Sequence, residues 1–368
     1  MRRGHFEALK PHCPVCFRSD GSRQRLVLSS VFKEERDVVF EGLLLCPAPH
    51  CQREYPVIDG IPLLLAGLRD FLAANVSQLM AREDLSEGIE SLVGDCCGPG
   101  SAFDVTRHQV GTYARDHYGA QDPAERDSAT PPGSAQRLLE LGLSRVGPLP
   151  GGPVLDVGCS VGGTTFALAA QTGRLVLGVD VNLSMLRLAM SALHRGEVQY
   201  PLRRTGVVYD RRRYPVRFEH AGNVDFWACD VAALPFAEDT FALASALNVV
   251  DCVRSPRDVL AECVRALAPG APALVSTPYD WSPATTPLEA WLGGHSQRGG
   301  CGGSGAAVLR ALLTPGAHPA SLGSVALEAE WDAVPWRVRL HDRSVVEYAS
   351  HLVLARKQHG AATPAAAP

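Results

Sequence analysis

The pattern of apolar and polar positions divides this chain into stretches of different character. From residue 151 to residue 357, short apolar runs alternate with longer segments whose apolar positions recur every three or four residues. That is the rhythm of strands alternating with helices. Val154 to Val157 reads as a strand and the stretch through Gln171 as a helix. A second strand, Leu175 to Val179, stops at Asp180. The helix behind it carries Leu183, Leu186, Met190 and Leu193, a period near 3.6. Val224 to Ala228 is a third strand, ending at Cys229-Asp230, and Phe241 to Leu247 a fourth, ending at Asn248. Ser255, Pro256 and Asp258 then make a helix start: a capping hydroxyl, a proline where no N–H is needed, and an acid in the first turn. Pro269-Gly270 ends that helix before a strand from Ala273 to Thr277. Two β-rich segments, near Val334 to Leu340 and Val345 to Ala355, close the pattern. Gln199 to Asn223 is expected to be a long irregular insertion, with Arg203, Arg204, Arg211, Arg212 and Arg213 in a solvated loop or against an acidic substrate or RNA.

Alternating strands and helices imply an α/β fold: a doubly wound, Rossmann-like, seven-stranded sheet with helices on both faces. Ligands of such sheets sit at the carboxyl ends of the strands, where the strand order reverses. Residues 1–66 form a small unit with two cysteine pairs, closed by YPVIDGIPLLL. Residues 67–150 are expected to be a helical lid or linker, helical from Leu68 to Leu92 and broken by GDCCGPGS at Gly94 to Ser101. Residues 151–357 are the main domain, and 358–368, with AATPAAAP, a disordered tail.

The first strand runs into its helix through VLDVGCSVGGTTFALA, Val154 to Ala169. Gly158, Gly162 and Gly163 make a turn tight enough for a ligand to reach the backbone. The glycines are not spaced to cradle a diphosphate, which argues against a nicotinamide dinucleotide. The Asp-x-Gly-x-x-x-Gly spacing resembles the first motif of class I S-adenosylmethionine methyltransferases. That resemblance implies that Asp156, Gly158, Cys159 and Gly162 form the cofactor loop. It implies further that Asp180 accepts from both ribose hydroxyls, that Asp230 and the backbone of Val231 hold the adenine, and that Asn248 lies beside the methyl group.

A narrower resemblance runs from Tyr113 to Lys357. YARDHYG, LDVGCSVGGTTFAL, VDFWACDVAALP, LNVVDCVRSPRDVL, STPYDWSPATTPLEAWLGG and VPWRVRLHDRSVVEYASHLVLARK are similar to segments of mercaptohistidine N-methyltransferase domains from ovothiol-synthesis enzymes. The closing RSVVEYAS departs from that family's aromatic-rich segment. No counterpart of its iron-dependent sulfoxide synthase domain is present in these residues, so the acceptor need not be mercaptohistidine. The resemblance implies methylation of a nitrogen in a small histidine-like molecule. A neutral imidazole already offers a lone pair, so a hydrogen-bond acceptor for its other N–H suffices. Asn248, Asp251, Tyr279 and Asp280 are candidates for that role. His117 and Tyr118 are candidates for closing the pocket, with Trp281 in a neighbouring loop.

Cys13-x-x-Cys16 and the wider pair Cys46 and Cys51 could hold zinc through four thiolates, with His50 as an alternative ligand. The segment from Tyr55 to Leu65 is similar to the end of a small zinc-ribbon family that includes the activator subunit of tRNA and protein methyltransferases. The expected role of the metal is folding or docking. Cys96, Cys97 and Cys301 have no partner spacing, and Cys159 is expected to be a small loop residue rather than a nucleophile. Composition changes this picture little. The chain has 368 residues, 46% hydrophobic and 20% charged, and a formal net charge of -4, so no global basic field draws in nucleic acid. Its eleven cysteines, dispersed over a long chain without a signal-like or membrane-spanning apolar run, suggest reduced thiols and a cytoplasmic protein. Two other functions stay open: an RNA or protein methyltransferase that docks its substrate through the zinc ribbon, and a non-catalytic binding protein of the same fold.

Overall fold

The computed structural model describes residues 1–68, 71, 98–299 and 301–359. Most of the expected Leu68 to Leu92 helix, Cys96-Cys97 and the AATPAAAP tail lie outside the described residues. Thirteen strands are described: β1 (Val27–Glu35), β2 (Val38–Leu45), β3 (Glu54–Ile58), β4 (Ile61–Leu64), β5 (Val154–Val157), β6 (Val176–Asp180), β7 (Glu197–Thr205), β8 (Val208–Pro215), β9 (Val224–Cys229), β10 (Leu243–Leu247), β11 (Pro272–Thr277), β12 (Val325–His341) and β13 (Ser344–Lys357). Eleven of them form one sheet in the order β1-β2-β3-β4-β9-β6-β5-β10-β11-β13-β12.

The stretch from β9 to β12 is the expected seven-stranded, doubly wound sheet. From β5 the chain winds outward through β6 to β9, then returns to the other side of β5 for β10 and β11, all parallel. β13 is antiparallel to β11, and β12 to β13. The order therefore reverses between β5 and β10, which places the binding crevice above their carboxyl ends. The inner strands are buried along their whole length because both faces are covered. Leu155 and Val157 of β5 pack into one layer and Val154 into the other. Trp227 and Cys229 of β9 alternate likewise with Phe226 and Ala228.

The sheet is larger than the expected seven strands. β4 pairs in parallel with β9 through Leu63↔Ala228 and Leu64↔Cys229, and β3, β2 and β1 follow antiparallel. All four residues of β4 are buried, so its unbroken apolar run reflects cover on both faces. The cysteine-bearing N-terminal unit is thus an extension of the main sheet.

Two local expectations are corrected. The segment read as an irregular insertion is a two-stranded antiparallel hairpin, β7 and β8, turning at Gly206. Val198, Tyr200 and Leu202 alternate inward along β7, a period-two signal hidden by the arginines around it. The hairpin lies against the helix Ala102–Tyr118 so closely that a Cβ on Gly111 would stand 1.8 Å from the Pro201 carbonyl oxygen. Nor do its arginines form a free basic face. Arg203 pairs with Asp104 at 2.8 Å, Arg212 with Asp122 at 2.6 Å, Arg213 with Glu197 at 2.8 Å, and Arg204 with Asp210. Ser255 stands at the N-cap of the helix Pro256–Ala266 but makes no side-chain cap hydrogen bond. Among the described residues no helix is long and apolar enough to cross a membrane.

Candidate cofactor and acceptor site

The loop after β5 is built on left-handed backbone, with φ of 67° at Gly158, 54° at Ser160 and 93° at Gly162. A Cβ on Gly158 would stand 2.4 Å from Val249, and one on Gly162 2.6 Å from Phe226. Both glycines are therefore required by space as well as by φ. Asp156, only 2% exposed, lies beneath this loop. It accepts hydrogen bonds from Thr164 and Thr165 at 2.7 Å and from Ser245 at 2.6 Å. Burial pushes its carboxyl pKa up, against the pull of the three hydroxyls. Asp156 thus ties β5 to the start of the helix Gly163–Thr172 and to β10.

Asp180 holds the loop from the other side. Its Oδ2 accepts from the Ser160 N–H at 2.9 Å and its Oδ1 from the Asn182 N–H at 2.8 Å. Burial raises its pKa, opposed by these backbone donors. A carboxylate has acceptor capacity beyond two N–H bonds, so Asp180 can also take the hydroxyls of a ribose. Asp156, Gly158, Asp180, Val231 and Asn248 all line one cleft of about 450 Å³. Cys159, Gly162 and Asp230 are not among its lining residues. Cys159 is buried in the core, where burial holds its thiol pKa far up, and Gly162 is the hinge into the helix. Asp230 Oδ1 accepts from the Ala232 N–H at 2.9 Å, and its Oδ2 lies 3.4 Å from Arg18 of the N-terminal unit.

The opposite wall comes from the helix Ala102–Tyr118. Gln109, Tyr113 and His117 follow at four-residue spacing, so one helix face meets the cleft. His117 Nδ1 accepts from the Gly163 N–H at 2.9 Å. Burial lowers its pKa, so the ring is neutral and this bond puts its proton on Nε2. His117 therefore secures the glycine loop after β5 and presents a donor, which is the wrong state for a general base. Tyr118 is fully buried and donates to the Val161 carbonyl. Asn248, at φ 54°, lines the cleft with Oδ1 held by Ser276 Oγ at 2.9 Å and Ser350 Oγ at 3.3 Å. Asp251 and Tyr279 are not among the lining residues. Asp251 is 2% exposed and accepts from the Asp280 N–H at 3.0 Å, which anchors the PYDW segment. The Tyr279 hydroxyl lies 2.6 Å from His351 Nδ1 on β13, and Trp281 stacks on Trp291. The sequence reading missed Gln109, Tyr113, Cys252, Thr285 and Trp336 in the lining. The spacing of Gln109, Tyr113 and His117 is the one signal that would have found part of this set.

Burial raises the Asp251 carboxyl to about 6. A carboxyl raised in the folded state stabilises the fold below its unfolded pKa, and that stability is lost as pH rises through the folded value. This group should therefore add up to about 3 kcal/mol as pH falls from about 6 to about 4. Asp251→Asn keeps an acceptor for the Asp280 N–H. Denaturant melts between pH 4 and pH 7 should show the variant without that part of the pH dependence; parallel curves for the two proteins would contradict it.

A family model described as a methyltransferase domain matches residues 155–275, from β5 into β11. Residues 155–275 are therefore similar to a methyltransferase domain, in the part of the sheet that carries the glycine loop. The chain's curated relatives include methyltransferase GfsG of Streptomyces halstedii, 28% identical over 48% of this chain and 60% of that protein. Another is the demethylmenaquinone methyltransferase of Renibacterium salmoninarum, 29% identical over 39% of this chain and 48% of that protein. The chain thus spans about half the length of these relatives. Among solved structures, the [4+2]-cyclase SpnF is similar with a TM-score of 0.41 and 18% identity, over 69% of this chain and 97% of that one.

Beside the methyltransferase domain, the N-terminal cysteines form a second candidate site. The Sγ atoms of Cys13, Cys16, Cys46 and Cys51 all lie within 4.8 Å of one another. Cys13 to Cys51 and Cys16 to Cys46 are both 3.8 Å. A tetrahedron with Zn–S near 2.3 Å has edges of about 3.8 Å, so the set fits a closed structural zinc site. His50 Nε2 stands outside it, 3.9 Å from Cys16 Sγ. Tyr55 Oη lies 3.1 Å from Cys13 Sγ and can support that ligand. Burial raises the thiols of Cys16 and Cys46, the latter to about 11, and a dication among them would drive those protons off.

Proposed function

We propose that the protein transfers a methyl group from S-adenosylmethionine to a nitrogen of a small, histidine-like acceptor, in the cytoplasm. The observation that carries this is the single cleft shared by Asp180 and the Gln109-Tyr113-His117 helix face. In this reading residues 151–357 form the catalytic unit, residues 67–150 the lid, and residues 1–66 a zinc-bearing brace. Asp180 accepts from the ribose hydroxyls, while Asp230 and Val231 flank the adenine, with Arg18 over Asp230. Gly158, Cys159 and Gly162 shape the loop that receives the amino-acid tail.

The sulfonium supplies an electrophilic methyl carbon. With it bound, in-line attack by a nitrogen lone pair would form the N–C bond as the C–S bond breaks, with the C–S electrons passing to the sulfur of the departing S-adenosylhomocysteine. The proton on the acceptor's other nitrogen would then pass to solvent water. Such a displacement asks mainly for alignment. Asn248, fixed by Ser276 and Ser350, lies at the strand end beside the methyl position. The His117 donor and Tyr113 would orient the acceptor. Asp251 and Tyr279 act from behind, by setting the 277–281 segment.

The test is incubation with methyl-labelled S-adenosylmethionine against histidine derivatives, a metabolite pool, RNA and protein. Label on a nitrogen of a small molecule is the expected result. Label on an oxygen would move the acceptor class toward that of relatives such as the O-methyltransferase CnsE of Penicillium expansum. Label in RNA or protein would overturn the small-molecule reading, and absence of S-adenosylmethionine binding would leave only a fold relative.

A further inference from the structure

We propose that Tyr113 and Trp336 form the acceptor shelf of this cleft, and that the shelf selects a planar nitrogen heterocycle without net negative charge. This rests on the methyl-transfer reading above. Trp336 and Tyr348 are opposed across the β12–β13 ladder, so their rings meet as a cross-strand pair. Their centroids are 5.0 Å apart with planes 27° from parallel. The Tyr113 ring lies with its centroid 6.5 Å from that of the indole and its plane 24° from parallel. Tyr113 and Trp336 line the cleft together, with Tyr348 packed against the indole. The stack fixes the Trp336 ring before any ligand arrives, so docking a flat molecule on it costs little side-chain entropy.

The indole N–H gives a second, independent observation. Trp336 is 8% exposed, yet its Nε1 is buried without a hydrogen-bond partner among the described residues. Buried indole N–H groups ordinarily find an acceptor, and leaving one unpaired is unfavourable. The indole N–H lies in the ring plane, so a ligand nitrogen or carbonyl at the edge of the shelf is what would supply the missing acceptor.

Charge narrows the choice. Among the described residues lining the cleft there is no lysine or arginine, and His117 is neutral. Asp156 and Asp180 line it, and Asp251 lies behind. The Tyr113 hydroxyl is raised by burial first, and further by Cys252, Tyr348, Asp251 and Asp180, so both carboxylates act on the shelf itself. Aromatic faces attract cations, and carboxylates nearby repel an anion. An acceptor bearing a phosphate or an unbalanced carboxylate meets repulsion with no cation to offset it.

Calorimetry on the full chain saturated with S-adenosylhomocysteine tests this, with histamine and imidazole-4-acetate as a matched pair. Histamine should bind about tenfold more tightly. Trp336→Leu should lose about tenfold in histamine affinity, and Trp336→Phe, which keeps a ring but drops the N–H, about threefold. Both variants should hold S-adenosylhomocysteine as the parent does. Equal or tighter binding of imidazole-4-acetate overturns the proposal. So does unchanged histamine affinity in Trp336→Phe, which preserves most of the packing, or failure of both probes to bind. If S-adenosylhomocysteine itself does not bind, the methyl-transfer reading falls and the shelf with it, which separates the two failures.

Discussion

Asp180→Ala is expected to weaken S-adenosylmethionine binding by about a hundredfold or more, close to 2.7 kcal/mol. Two losses add. Hydrogen bonds from ribose hydroxyls to a charged acceptor are worth about 1.5–3 kcal/mol each. The same carboxylate also holds the Ser160 and Asn182 N–H groups, and Ser160 sits at φ 54°. Without the clamp, the loop can relax out of its left-handed turn before the ligand arrives, and binding must then restore it. Asp180→Asn keeps one acceptor oxygen and should lose about tenfold. Calorimetric titration with S-adenosylhomocysteine reads both variants. Parent-like affinity in the alanine variant would remove Asp180 from ribose recognition.

Removal of metal from the N-terminal cysteines should cost still more in stability. Structural zinc sites contribute about 10–16 kcal/mol of binding free energy, and that energy is folding energy. Cys13, Cys16 and Cys46 belong to the unit's buried core, beside Phe6, Leu9, Leu26, Leu44 and Tyr55. Chelation, or Cys46→Ser, should lower the first melting transition by more than about 10 °C. Elemental analysis of the untreated protein should find zinc. The effect should reach the cofactor. Arg18 meets Asp230, Arg23 meets Glu238, and the His12 N–H donates to the Pro235 carbonyl. The unit therefore braces the segment that follows β9, and S-adenosylhomocysteine affinity should fall along with the melting temperature. An unchanged melting curve with no zinc present would remove the metal from the account.

The inner sheet was legible because βα units write themselves plainly. Strands buried on both faces are nearly continuous apolar runs, and a polar residue stands at or just past the end of three of them: Asp180, Asp230 and Asn248. The glycine loop was legible because a Cβ at Gly158 or Gly162 would meet both a left-handed φ and a close neighbour. Other features were not. The β7–β8 hairpin is lined with arginines whose carboxylate partners, Asp104 and Asp122, lie far away in sequence. β4 joins the main sheet although IPLL alone reads equally well as the end of a separate ribbon. Tyr279 and Asp251 follow strand ends as the cleft residues do, but a positive φ at Tyr279 sets its ring beside His351. Trp336 enters the cleft from a late antiparallel hairpin, and a lone tryptophan among charged residues carries no local sign of where it will sit.

The pairing of β4 with β9 has a consequence for how the molecule is made. A ribosome delivers Ile61–Leu64 long before it delivers Val224–Cys229, so a fully apolar strand must wait for its parallel neighbour. Closing so long a loop is slow, and unpaired strand edges are where chains aggregate during that wait. The segment after β9 can set only when this late docking is complete. Cofactor competence should therefore be among the last properties a newly made chain acquires, and an excised 151–357 fragment would expose β9 as an open edge for pairing with its own copies.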